Sequence, residues 1–105
     1  MLLSNAFSLQ MLTETQTVKF TFISEEDARF ILVREAWTSV VGHKDLAEIL
    51  SNMFGITVPV NRVSNKLRTG DKMLVAQFMG GRLPEGATTL PEGARIQFNL
   101  VEVTE

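Results

Sequence analysis

Between Thr17 and Ser24, Val18, Phe20 and Phe22 alternate with Thr17, Lys19 and Thr21, the two-residue period of a half-buried strand. Before it, Leu2 to Phe7 reads as a short apolar strand ending at the polar Ser8-Leu9-Gln10. After it, Ser24-Glu25-Glu26-Asp27 has the form of an N-cap followed by acidic first-turn residues, which suit the positive end of a helix. Ala28, Ile31 and Leu32 give that helix an apolar stripe to about Arg34, and Trp37 to Val41 is a brief apolar segment leading into Gly42. From His43 to Phe54, Leu46, Ile49, Leu50 and Met53 recur at three- and four-residue spacing, and Gly55 supplies the stop of a second helix. Ile56 to Val60 is predicted to be extended, with Pro59 marking an edge or a strand end. Thr69-Gly70-Asp71 predicts a turn. Lys72 to Phe78, with its unbroken Met73-Leu74-Val75-Ala76, predicts a strand covered on both faces, and Ile96 to Val103 a final strand. The order predicts an α/β fold: one domain, a mixed sheet of about five strands flanked by helices, with no linker long enough for a second domain.

Composition narrows this picture in a few places. The chain has 105 residues, 45% hydrophobic and 21% charged, ordinary values for a globular domain that can bury a core. Without cysteine there is neither a disulfide nor a thiolate metal site. The start, Met1-Leu2-Leu3-Ser4-Asn5-Ala6-Phe7, has no basic flank and breaks at Asn5, so it reads as a strand and not as a signal peptide. No apolar run approaches the roughly 20 residues of a membrane helix, which makes a cytoplasmic protein the expectation.

Candidate chemistry centres on His43, the one histidine, placed after Gly42 where a helix begins. Its unperturbed pKa lies near neutrality, and the backbone N–H groups of a helix start favour a phosphate oxygen. The plain alternative is a histidine that caps the turn or lies in solvent. Arg82-Leu83-Pro84-Glu85-Gly86 sets a guanidinium and a carboxylate on one short turn. Arginine can fork onto a phosphate and a carboxylate can orient an imidazole, or the two can form a surface ion pair. Gly80-Gly81 before them offers a hinge. Leu-Pro-Glu-Gly recurs at Leu90 to Gly93, where a simple turn explains it. One histidine and scattered acids give no zinc spacing, no Gly-Lys-Ser/Thr phosphate loop is present, and Ser39 lacks an elbow motif. What remains is metal-free chemistry with no cofactor.

Taken in order, Asn5-Ala6-Phe7-Ser8, Gly42-His43, Pro59-Val60-Asn61-Arg62, Gln77-Phe78 and Arg82-Leu83-Pro84-Glu85-Gly86 resemble the viral ring nucleases, over roughly residues 2 to 103. These are small anti-CRISPR proteins of archaeal viruses and phages, with relatives on bacterial mobile elements. The resemblance implies a homodimer that binds cyclic tetra-adenylate, the messenger of type III CRISPR systems, across its subunit interface and cuts it without metal. It implies His43 as general acid with Arg82 and Glu85 in the active site. It places Asn5, Ser8, Arg62 and Gln77 at ligand-binding positions, and Gln10 more loosely. It also implies a loop around Arg82 to Gly93 that folds over the ring.

Two departures stand against that pattern. The stretch Ala87 to Arg95, interrupted by Pro91 and Gly93, is shorter than the helix-forming one of the family, and Ser4 stands where asparagine is common. The rival expectations are a dimeric DNA-binding protein, or a module that sequesters the nucleotide without turnover. A net charge of −2, no tyrosine and no basic stripe speak against DNA; Arg62, Lys66 and Arg68 are the residues that would carry it.

Overall fold

The computed structural model describes residues 1–105, and the apolar periods become five strands and two helices: β1 (Leu2–Ser4), β2 (Thr17–Ile23), α1 (Glu25–Arg34), β3 (Thr38–Ser39), α2 (Lys44–Phe54), β4 (Lys72–Met79) and β5 (Arg95–Thr104). A single mixed sheet has the order β2-β5-β4-β1-β3. β1 pairs parallel with β3 and β4, while β5 is antiparallel to both β4 and β2. Four strands therefore share one direction and only β5 runs against them. The α/β class, the mixed sheet of five strands and the single domain agree with the sequence.

Both helices cover one face. Leu3, Leu74, Ala76 and Phe98 of the sheet pack there with Ala28 and Leu32 of α1 and with Leu46, Ala47, Leu50 and Phe54 of α2. Their burial follows from the helical period, which sends every third and fourth residue of α2 to the sheet. Ser24 Oγ caps α1 by accepting from Asp27 N–H at 3.0 Å. Gly55, at φ 65°, ends α2 in the left-handed region that a Cβ would strain. Arg29 then reaches across from α1, donating to Met53 O at 2.8 Å and lying 5.2 Å from the Phe54 ring centroid. A cation on the negative end of α2 fixes the two helices to each other.

The opposite face is covered only in part. Met73, Val75, Val101 and Val103 pack beneath Leu67, with Phe7, Met11 and Leu12 alongside. A 3₁₀ turn over Leu9–Met11 and the irregular run before β4 supply this cover, joined by Leu67 N–H to Met11 O at 2.8 Å. The cover stops short of β2. Val18 is partly buried, but Phe20 is 49% and Phe22 73% exposed, so the alternation holds while its apolar side lies open in the single chain.

Some boundaries move. The first strand ends at Ser4, because Ser4 Oγ turns the chain by bonding Ala6 O, and Leu2 to Phe7 is not one strand. His43 caps the second helix instead of opening it. Ile56 to Val60 forms no strand, but its end runs beside β3, where Ser39 Oγ donates to Pro59 O and Asn61 N–H to Val41 O at 2.8 Å. Pro59 has no N–H to offer a ladder. The Arg68–Asp71 turn forms as expected, and Lys72 pairs with Glu102 at 3.7 Å across β4 and β5.

Candidate functional site

In open α/β sheets, ligand sites lie beyond the carboxyl ends of the parallel strands. Here β3, β1 and β4 are adjacent, and they release His43, Asn5 and Arg82 from the same edge within a few residues of their ends. Sequence positions far apart are gathered by topology alone.

The His43 side of this edge is built around Gly42. Its N–H donates to Asn5 Oδ1 at 3.2 Å, tying the end of β1 to the start of α2. A Cβ at residue 42 would stand 3.2 Å from Arg62 Cγ, so glycine is what lets Arg62 lie against the backbone here. Asn61 holds the arginine in place by donating from Nδ2 to Ser39 O at 2.9 Å. Asn5, Gly42, His43 and Arg62 then line one cavity of about 350 Å³, with Val63 and Asn65 on its wall. Ser8 and Gln10 line an adjoining cavity of about 180 Å³ that shares Val63 and Asn65. Ser8 Oγ accepts from Gln10 N–H, and Lys66 Nζ donates to Gln10 O at 2.6 Å.

His43 is exposed, and its ring also serves the fold. Nδ1 accepts from Leu46 N–H at 3.1 Å, satisfying one of the unpaired donors of the first helical turn. A nitrogen that accepts carries no proton, so the capped ring is the tautomer with hydrogen on Nε2. The ring presents a donor to the edge.

Arg82 and Glu85 do not line the His43 cavity. Nor do they pair with one another, since the ion pair of this fold is Lys72 with Glu102. Both are exposed; Glu85 sits in a turn closed by Ala87 N–H to Pro84 O at 3.2 Å, with Gly86 at φ 78°, and Arg82 lies just before that turn. The second Leu-Pro-Glu-Gly repeats that geometry, with Ala94 N–H to Pro91 O and Gly93 at φ 80°. The first turn is set against α2, because Gly86 N–H donates to Asp45 Oδ2 at 2.9 Å. Glu85 and Gly86 thus lie at the first turn of the helix that His43 caps. The segment between β4 and β5 contains no helix. Of the two expected hinge glycines, Gly80 is packed tightly on Ala94, leaving Gly81 free of close neighbours.

Gln77 stands elsewhere. It belongs to β4 and faces away from the helices, lining a cavity of about 200 Å³ with Phe7, Phe20, Phe22 and Asn99. Only Phe7 and Ala6 of the same loop link it to the His43 cavity.

The sequence pattern missed Asp45 and Asn65, and Asn61 stood in it only as the neighbour of Arg62. Asp45 had a signal, an acid two residues beyond a capping histidine; Asn65, whose buried Nδ2 has no partner and which lines both cavities, had none.

A family model described as STIV B116-like matches residues 1–100. The chain belongs to the STIV B116-like family, which comes from archaeal viruses. Over 77 residues it is 36% identical to Uncharacterized protein 26 of Sulfolobus islandicus filamentous virus (isolate Iceland/Hveragerdi). That alignment takes in 71% of this chain, which spans 64% of the relative's length. Among solved structures, B116 of Sulfolobus turreted icosahedral virus superposes with a TM-score of 0.79 at 28% identity. The superposition covers 96% of this chain and 97% of that one, so the family's architecture is present from β1 to β5. No helix of the chain is long and apolar enough to cross a membrane.

Proposed function

We propose that this chain is a metal-independent ring nuclease that opens cyclic tetra-adenylate and so switches off type III CRISPR signalling in the cytoplasm of a virus's host. The observation that carries the reading is the shared strand edge. Asn5, His43 and Arg62 line one cavity there, and the Arg82–Gly86 turn is hydrogen-bonded to the helix that His43 caps. The order of motifs resembling ring nucleases supplies the substrate.

A ribonucleotide carries its own nucleophile. In the proposed step the 2′-oxygen bonds to the adjacent phosphorus, the bond from phosphorus to the 5′-oxygen breaks, and the 2′-hydroxyl proton passes to water. The 5′-oxygen leaves with a proton from His43 Nε2. Arg82 neutralises charge that gathers on the phosphorane, and Glu85 orients one of these two groups. Asn5, Arg62, Ser8 and Gln10 hold the ring from the two adjoining cavities, and Gln77, set on the open sheet face, is not among these contacts. Nε2–H transfer needs a second proton on Nδ1, which turns that nitrogen from acceptor into donor and ends the cap to Leu46 N–H. The acid therefore forms as the ring leaves the helix end, where a phosphate oxygen takes over the freed N–H. Two such cuts on opposite sides yield linear di-adenylate with 2′,3′-cyclic phosphate.

A ring of four equal nucleotides contains a two-fold axis, which suits a homodimer presenting two equal sites. The open face that bears Phe7, Phe20 and Phe22, adjoining Gln77, supports that pairing.

Labelled cyclic tetra-adenylate incubated with the protein and a chelator tests the reading. Di-adenylate is the expected product. Tight binding of an intact ring would leave a sequestering module, and salt-sensitive duplex DNA binding through Arg62, Lys66 and Arg68 without ring affinity would replace the reading.

A further inference from the structure

Two side chains of α2 reach the segment that follows Arg82. Asp45 Oδ2 accepts from Gly86 N–H at 2.9 Å, and Asn52 Nδ2 donates to Thr88 O at 2.8 Å. Seven residues separate Asp45 from Asn52, two helical turns, so both project from one stripe of the helix. Between them lies Ile49, only 2% exposed although it belongs to neither core cluster. It lines a cavity with Asn52, Met53 and the loop residues Thr88, Thr89 and Leu90. The middle of the loop is thus laid along α2, held at Gly86 and Thr88 and closed over an apolar side chain. Its end nearest the site is held by Asp45.

We infer that Asp45 is a positioning residue: its carboxylate, by holding the Gly86 amide, fixes the Arg82–Gly86 segment against the first turn of α2, the turn that His43 caps, before any ligand arrives. This rests on the ring-nuclease reading. A carboxylate acceptor strengthens such a bond, and it sits on the first turn of α2, where the positive helix end favours its charge. Free of that anchor, a turn lying between Gly81 and Gly86 samples many positions, and a displacement of an ångström is enough to spoil alignment at phosphorus.

Two readouts test it. In the free protein, Asp45→Ala should speed hydrogen exchange of the Gly86 amide roughly tenfold, whereas Asp45→Asn, which keeps an acceptor oxygen, should stay near wild type. With the ring, Asp45→Ala should lower kcat by about 10–100-fold. Affinity for a 2′-O-methyl ring should stay within about twofold of wild type, because the residue touches no ligand. Asp45→Asn should recover most of kcat. Unchanged Gly86 exchange in Asp45→Ala would overturn the inference, as would a fall in affinity equal to the fall in kcat. A wild type that leaves the ring intact would overturn the ring-nuclease reading instead, and the exchange measurement would still judge the clasp.

Discussion

Replacing His43 probes a residue that caps α2 and that we propose to be the general acid. Alanine removes the Nδ1 acceptor and orphans Leu46 N–H at the start of α2, a loss of about 1 kcal/mol for a typical N-cap. In a domain of this size that lowers Tm by about 4–8 °C. Alanine also removes the proton donor, at a cost of roughly 10²–10⁴-fold in rate, or about 2.7–5.5 kcal/mol on the barrier. Asparagine separates the two effects, since it is among the preferred caps but cannot carry the proton. Thermal unfolding and single-turnover cleavage of cyclic tetra-adenylate are measured on both variants. His43→Ala should lose stability and turnover; His43→Asn should keep its Tm and lose turnover to the same extent. Equal Tm values for the two variants would refute the capping role. Turnover by His43→Asn within tenfold of wild type would refute the acid.

Other perturbations probe other layers. Leu50→Ala empties a fully buried position between α2 and the sheet and should cost about 2–5 kcal/mol, read as a lowered urea midpoint with unchanged m; a loss below 1 kcal/mol would mean that α2 packs less tightly than described. Gly42→Ala pushes a Cβ to 3.2 Å from Arg62 Cγ, and an arginine forced off its rotamer by about 0.5–1.5 kcal/mol should weaken binding of a 2′-O-methyl ring roughly 2–10-fold; unaltered affinity would remove Arg62 from the ligand site. Phe22→Asp sets a charge on the open sheet face and should shift the sedimentation profile of the proposed dimer toward monomer; a dimer of undiminished strength would place the interface elsewhere.

Much of the fold could be read from periodicity, because the core-facing positions of α2 and β4 are set by local pattern. Met73 to Ala76 are buried, as the unbroken apolar run requires of a strand with cover on both faces. Phe20 and Phe22 show where pattern runs out: alternation identifies an apolar side but not what lies on it. Ile56 to Val60 shows the same limit, since an extended segment becomes a strand only where a neighbour offers a ladder. At the candidate site, residue type picked out His43 and the family resemblance Asn5 and Arg62, yet their shared cavity depends on β3 and β1 being neighbours, which no local signal states. Asp45 escaped because its partner is a backbone amide 41 residues away.

The proposed chemistry stands on a ribose hydroxyl that, aligned by this edge, displaces the 5′-oxygen while His43 protonates it. Single-turnover cleavage of cyclic tetra-adenylate beside its fully 2′-O-methylated counterpart puts that step to trial. The unmodified ring should be cut to di-adenylate with 2′,3′-cyclic phosphate, while the methylated ring should bind with similar affinity and stay whole. Cleavage of both rings would contradict the mechanism, because water and not the ribose would then be the nucleophile.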